Sequence, residues 1–303
     1  MKVIVNKEFK NTIKKRIKQS SLYIPIWNIC SFPRLMLDRF GIIRNYVLFP
    51  IIAFLRTHKV GKFYEGYERL DSYRGKYSGQ RCFILAAAPS LRIEDAERLS
   101  NEKTFVLNSF FKLYDRTTFR PTFYVELDPD GEEVYYGEGD FNPGQFAKEC
   151  AFINDVVKKR KRGYKNTVYL PVNWLDHWVS LYRPGYNPGK NLKHSRDMLW
   201  GTYDQWSVTG NTIELAAYMG FSEIYLLGID NDYNPNVKYA TGEAVSKDFN
   251  KMDNVKWVHD AMASAYAFLD KETKRYGVHV YNASRGGKLE EFDRVNFDSI
   301  DFK

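Results

Sequence analysis

From Gln80 onward, short runs of apolar, β-branched and aromatic residues alternate with longer stretches of helical period, and this alternation constrains the fold more than any other feature. "RCFILAA" (81–87), "KTFVLNS" (103–109), "TFYVEL" (122–127), "TVYLPV" (167–172), "EIYLLGID" (223–230) and "HVYNAS" (279–284) read as strands. Several are apolar on both faces, as parallel strands covered by helices must be. Residues 93–99, 144–159, 211–219 and 253–276 carry helical periodicity between them. Right-handed crossovers then predict an α/β fold: a single doubly wound, mostly parallel Rossmann-like sheet. Ligands of such sheets bind at the carboxyl ends of the strands. Residues 183–207, rich in turn formers and poor in period, predict a lid near that edge.

Charge divides the chain unevenly. Residues 1–80 hold 16 Lys/Arg against 5 Asp/Glu, whereas residues 81–303 hold 29 against 32. The sequence therefore reads as a basic, apolar helical extension over 1–75 and a catalytic-sized domain over 76–303. Lys14, Lys15, Arg16 and Lys18 precede Trp27, Phe32, Leu35, Leu37 and Phe40, a pattern suited either to a segment lying in an anionic membrane surface or to helices packing on the main domain or a second subunit. The longest uncharged run there, 45–55, is well short of the roughly 20 residues needed to span a bilayer. No zinc-finger, helix-turn-helix or RNA-recognition signature accompanies the charge, which argues against nucleic acid. Cys30, Cys82 and Cys150 form no metal-ligand spacing, and residues 1–19 lack an export signal. The expected location is the cytoplasm, peripherally at the inner face of the membrane.

Polar residues collect at the predicted strand ends. Pro89 and Ser90 follow the first strand, where Ser90 suits a helix cap beside free N–H groups that attract anions. Thr209, Gly210 and Asn211 stand at a second helix start, and Gly220 ends that helix before the strand that leads to Asp230. Asn108, Glu126, Asp128 and Asp230 lie at strand ends, where an amide can read a base and a carboxylate a ribose hydroxyl. Asp128 and Asp130 also form an Asp-x-Asp pair, a pattern used to hold a metal nucleotide. His259, before the last long helix, is a candidate base for a sugar hydroxyl, or a helix-start histidine bonded to backbone.

"FILAAAPSL", "FVLNSFF", "SVTGNTIELAAYMGFSEIYLLGIDNDYN" and "VYNASRGGKLEEF" together resemble the 6-hydroxymethylpterin diphosphokinase-like family of bacterial surface-glycan loci, itself related to the sialyltransferases of glycosyltransferase family 42. The resemblance covers roughly 75–295. It implies a GT-A-like variant of the Rossmann sheet and an inverting glycosyltransferase that needs no metal cofactor. The donor would be a nucleotide sugar, most readily CMP-linked, with a sugar acid among the options, and the acceptor a surface-polysaccharide or lipid-linked glycan. The family's opening Gly-Asn-Gly-Pro-Ser falls on Ala86, Ala87, Ala88, Pro89 and Ser90, its donor-binding asparagine on Asn108, and its later Thr-Ser-Gly on Val208, Thr209 and Gly210. Its phosphate-supporting tyrosines fall on Tyr233 and Tyr239 and its catalytic histidine on His259. Trp206 replaces the arginine that the sialyltransferases carry there, so a sugar carboxylate would need Lys190, Lys193 or Arg196. Two alternatives follow from the family's name and site: an ATP- and Mg²⁺-dependent diphosphokinase acting on a pterin, or a non-catalytic nucleotide-sugar-binding protein.

Overall fold

A computed structural model describes residues 47–128, 142–156, 164–174, 189, 192–232, 238–242 and 255–302, with the side chains of 255–258 excepted. Its centre is an eight-stranded sheet in the order β10-β9-β8-β1-β2-β3-β4-β5. The strands are β1 (Arg81–Leu85), β2 (Thr104–Leu107), β3 (Phe123–Glu126), β4 (Cys150–Asn154), β5 (Thr167–Leu170), β8 (Glu223–Leu227), β9 (His279–Asn282) and β10 (Asp293–Arg294). Every neighbouring pair is parallel. The fold is thus the α/β Rossmann-like sheet that the alternating pattern predicts. Two short strands, β6 (Val172–Asn173) and β7 (Thr202–Tyr203), pair separately.

Side chains of successive strand residues leave opposite faces, and both faces are covered. Cys82 and Ile84 join Phe105, Phe123 and Phe152 in one core layer, while Phe83 and Leu85 join Val106, Tyr124 and Ile153 in the other. This explains the strands' continuous apolar character. One layer is roofed by helix α5 (Val208–Tyr218) and helix α6 (Val255–Lys274); the other lies beneath short helix α4 (Ile93–Glu97) and the 3₁₀ segment Asn108–Arg116. Helix α5 ends in a paired turn: Phe221 N–H donates to the Ala216 carbonyl at 3.2 Å and Gly220 N–H to Ala217 at 3.0 Å. This is the glycine-terminated closure that Gly220 predicts.

Ahead of the sheet run helices α1 (Phe49–Thr57), α2 (Gly61–Tyr64) and α3 (Glu68–Asp71). Tyr67, Leu70, Tyr73 and Tyr77 belong to the α5 side of the core, and Gly75 N–H and Tyr77 N–H bond the Tyr218 and Met219 carbonyls. The core of the main domain thus includes Tyr67, Leu70 and Tyr73, which precede the boundary expected at 75/76. No helix among the described residues is long and apolar enough to cross a membrane.

The expected helix over 144–159 is not formed over 144–156, and 157–159 lie outside the described residues. Residues 143–146 make a 3₁₀ turn, and Cys150–Asn154 is a fully buried strand between β3 and β5. "CAFIN" is apolar on both faces, and a continuous buried run carries no period that separates strand from helix. Of the expected lid, 183–207, residues 189 and 192–207 are described; Thr202 and Tyr203 form β7, and Val208 then opens α5.

Candidate active site

The strand order places a topological switch in the middle of the sheet. From β1 the chain steps outward through β2, β3, β4 and β5, and it returns to lay β8, β9 and β10 on β1's other side. The helices that follow β1 and β8 lie on opposite faces of the sheet, the arrangement that in an open α/β sheet sets the ligand crevice at the carboxyl ends of these strands. Residues 86–90 leave β1 there, and residues 228–232 leave β8.

The two loops are fastened to one another. Ala88 N–H donates to the Gly228 carbonyl at 3.1 Å, and Ser90 N–H donates to Asp230 Oδ2 at 2.9 Å. Ser90 Oγ donates to the other Asp230 oxygen. Asp230 is 6% exposed, so its carboxylate is consumed by the β1 loop rather than presented to a ligand. Gly228 adopts φ +63°, and a Cβ there would stand 2.8 Å from Leu91 Cβ and overlap the Ala86 carbonyl oxygen. A side chain would force the loops apart. From the other side, Lys288 N–H donates to the Asp230 carbonyl at 2.6 Å, so the loop after β9 closes on the same point.

Ser90 therefore does not cap a helix. Helix α4 starts three residues later, with Arg92 as its uncapped N-terminal neighbour. The anion site expected from a free Ser90 N–H is already filled by the protein's own carboxylate. Ala86, Ala87 and Ala88 all avoid positive φ, which is why alanine can stand in this turn. The Ala87 carbonyl accepts from Ala240 N–H at 2.9 Å, bringing the neighbouring Tyr239 segment over the β1 loop.

At the end of β2, Asn108 takes φ +48°, and its buried amide oxygen has no hydrogen-bond partner among the described residues. Asn231, after Asp230, repeats both properties with φ +49°. Asparagine tolerates the left-handed region better than most residues. A buried carbonyl oxygen without a donor costs about 1–3 kcal/mol, which a ligand N–H would recover. Asn231 was not legible as a site residue; the only hint was its place in "GIDND" after a strand.

His259 lies within the second turn of α6, not before the helix as expected, and is half-buried beside the same loop. Burial holds its imidazole below the ordinary value of 6.5; Asp232 and Asp260 pull the other way, and Lys288 pushes it further down. Lys288 Nζ is 3.0 Å from Asp232 Oδ1, an ion pair at the mouth of the crevice. Asp232 and Lys288 are further residues that sequence reading missed. Glu126 is buried, and its Oε1 accepts from Asp128 N–H at 2.6 Å, turning it onto its own loop. Tyr233 and Asp130 lie outside the described residues. Among the described residues no three of His, Cys, Asp and Glu gather as metal ligands would.

Thr209, Gly210 and Asn211 serve packing. Ser207, not Thr209, caps α5, accepting from Gly210 N–H at 3.1 Å. Tyr266 on α6 bonds Ser207 Oγ at 2.7 Å and also reaches the Thr209 hydroxyl. A Cβ on Gly210 would stand 2.6 Å from Gln205 Cβ. Asn211 Nδ2 donates to Thr202 Oγ1 at 2.7 Å and the Tyr203 carbonyl at 2.6 Å. One turn on, the fully buried Glu214 accepts from His194 Nδ1 (3.0 Å), Ser195 N–H (2.8 Å), Gln205 Nε2 (3.2 Å) and Thr202 Oγ1. This network pins 194–205 along α5. Arg196 stacks over Tyr276, in the turn that feeds β9 from its amino end, and Lys193 over Tyr203. Arg196 is therefore removed from the carboxyl edge where a sugar carboxylate would need it, while Lys190 lies outside the described residues.

No protein-family model and no curated protein matches the sequence. Among solved structures the chain is similar to the MAf glycosyltransferase from Magnetospirillum magneticum AMB-1, with a TM-score of 0.41 and 18% identity over 77% of this chain and 38% of that one. The chain spans well under half the length of that protein.

Proposed function

We propose that the protein is an inverting glycosyltransferase that moves a sugar from a nucleotide donor, CMP-linked for preference, to a surface-polysaccharide or lipid-linked glycan. The observation that carries this reading is the set of groups gathered at the switch point of the sheet. A histidine held below its ordinary pKa stands at the same edge as two asparagines whose buried amide oxygens have no hydrogen-bond partner among the described residues. The exocyclic amino group of a cytosine supplies the N–H donors that such oxygens lack. The backbone of Ala86–Ala88 would line the approach of the donor, while Ser90 and Asp230 hold the loops in register.

In this mechanism neutral His259 accepts the proton of the acceptor hydroxyl as its oxygen attacks the anomeric carbon. The bond from that carbon to the phosphate oxygen breaks on the opposite face, which inverts the centre. Tyr239 and Tyr233 donate hydrogen bonds to the departing phosphate, so charge is met where it develops. Burial serves the base directly, because it keeps the imidazole unprotonated at neutral pH. No metal cofactor is required for these steps. The basic N-terminal quarter would keep the enzyme at the inner face of the membrane, beside a lipid-linked acceptor.

The test is a thermal-shift series with CMP, CDP, UDP, GDP and ATP, with and without Mg²⁺, followed by turnover of the nucleotide sugar that stabilises best. Stabilisation by CMP or CDP without metal is expected. Stabilisation only by ATP with Mg²⁺ would overturn the reading in favour of a diphosphokinase. His259→Ala should lower turnover at least about a hundredfold while donor binding is kept.

A further inference from the structure

The largest exposed apolar side chains of the described residues fall together at one place. Val47, Leu48, Ile51, Phe54 and Val60 are each more than two-fifths exposed, and all belong to α1 or its flanks. The orientation of α1 is fixed from its other side. Ala53 is fully buried, Arg56 Nη1 donates to the Leu199 carbonyl at 2.9 Å, and the guanidinium lies 4.6 Å over the Tyr67 ring. Val47, Ile51 and Phe54, spaced by four and three residues, therefore form an outward stripe one helix face wide. Beside Phe54 the stripe opens onto a groove of about 460 Å³ that includes Trp200 and Tyr203. Amphipathic rings of this kind favour the boundary between lipid and water.

The sequence extends the same spacing upstream through Leu37, Phe40 and Ile43, interleaved with Arg34, Arg39 and Arg44. Residues 1–46 carry ten Lys/Arg against two Asp/Glu. A symmetric contact between two copies through the stripe would bring the basic segments that lead into it together, because an isologous interface sets each side on its own image. An anionic surface meets both the charge and the stripe.

We infer that the α1 stripe is the docking face of the protein on an anionic lipid bilayer, with the Val47, Ile51 and Phe54 side chains entering the acyl boundary and the basic residues meeting the lipid phosphates. This rests on the membrane attachment in the functional reading above and names the surface that makes it. The stripe shares no residue with the switch-point site, so binding and turnover can be read independently.

The test uses the full chain with phosphatidylcholine vesicles prepared with and without phosphatidylglycerol, read by co-sedimentation. The parent protein should bind the anionic vesicles, and less as salt rises. Ile51→Ser/Phe54→Ser should lower the partition coefficient at least about tenfold, since two large side chains no longer leave water. These positions are exposed, so the thermal midpoint should not fall. Lys14, Lys15, Arg16 and Lys18 changed together to Gln should also weaken binding, and only to anionic vesicles. Equal binding by the parent and the Ile51→Ser/Phe54→Ser variant would overturn the inference, as would a parent that ignores anionic vesicles. A parent dimer that this variant turns into a monomer without vesicle binding would assign the stripe to a second copy instead. Turnover on a water-soluble acceptor separates the two readings: vesicle binding without it leaves the docking face standing and sinks the catalytic proposal, and the reverse result sinks the docking face alone.

Discussion

Replacing Asp230 with alanine tests whether the crevice is built by a clamp between its two loops or by a carboxylate kept for a ligand. Asp230 is nearly buried and accepts two hydrogen bonds from one residue, Ser90 N–H and Ser90 Oγ–H. Hydrogen bonds to a charged group contribute about 1.5–3 kcal/mol each, so Asp230→Ala should cost about 3–5 kcal/mol. Ser90→Ala removes only the hydroxyl bond and should cost about 1.5–2 kcal/mol. In the double variant the hydroxyl has no partner left to lose, so its cost should match that of Asp230→Ala. The coupling energy is then about 1.5 kcal/mol or more, well beyond the ~0.5 kcal/mol scatter of independent sites. Urea unfolding followed by tryptophan fluorescence measures all four proteins. Additive energies would refute the clamp. So would an Asp230→Ala protein of normal stability that had lost nucleotide binding, because that is the behaviour of a ligand-contacting carboxylate.

Gly228→Ala should destabilise by at least about 2 kcal/mol, from left-handed backbone strain and overlap with the immovable Ala86 carbonyl, and its urea midpoint should drop accordingly. Because burial lowers the His259 pKa, the acid limb of the rate profile should fall below 6.5; Asp232→Asn removes an anion that raises it and should move that limb to still lower pH, whereas an unmoved limb would sever Asp232 from the base. For Glu149, burial pushes the carboxyl up, but bonds from Lys76 and Tyr77 outweigh it and leave the pKa below 4.5. Its stabilisation is therefore complete above 4.5 and lost as pH falls through the lowered value, so the stability gap between the parent and Glu149→Gln should close in acid. Burial pushes Cys150 up to about 11 and Cys82 well above its ordinary value, and neither thiol should react with a disulfide reagent until the chain unfolds.

Much of this architecture is readable from residue pattern, and the failures have a common cause. Six strands and the helices at 211–219 and 253–276 announce themselves because long amphipathic periods alternate with apolar runs. Strand β4 does not, because "CAFIN" is buried on both faces and its period vanishes. The strand-end residues Asn108 and Asp230 fall at the crevice because parallel strands all deliver their carboxyl ends to one edge. What each does there was hidden, since a Ser-to-Asp bond across 140 residues leaves no local mark. Thr209 and Asn211 look like ligand contacts for the same reason that they make good packing: short polar side chains at a helix start bond whatever faces them. Asn231 and Lys288 acquire meaning only when the loops after β8 and β9 are set side by side.

The position of β1 has a consequence for how the chain reaches this state. Its two neighbours, β2 and β8, are supplied by segments that emerge far apart in synthesis, and Gln80 and Ser222 beside the β1–β8 pair are 142 residues apart. Until Glu223–Leu227 has left the ribosome, one edge of the central strand stays unpaired, and a ready template for foreign strands is exposed. Pairing at so long a separation closes slowly. Chains cut short before β8 should therefore aggregate rather than fold into a smaller domain, and the crevice should be among the last features to form. Nucleotide binding would then report that the whole sheet has been completed.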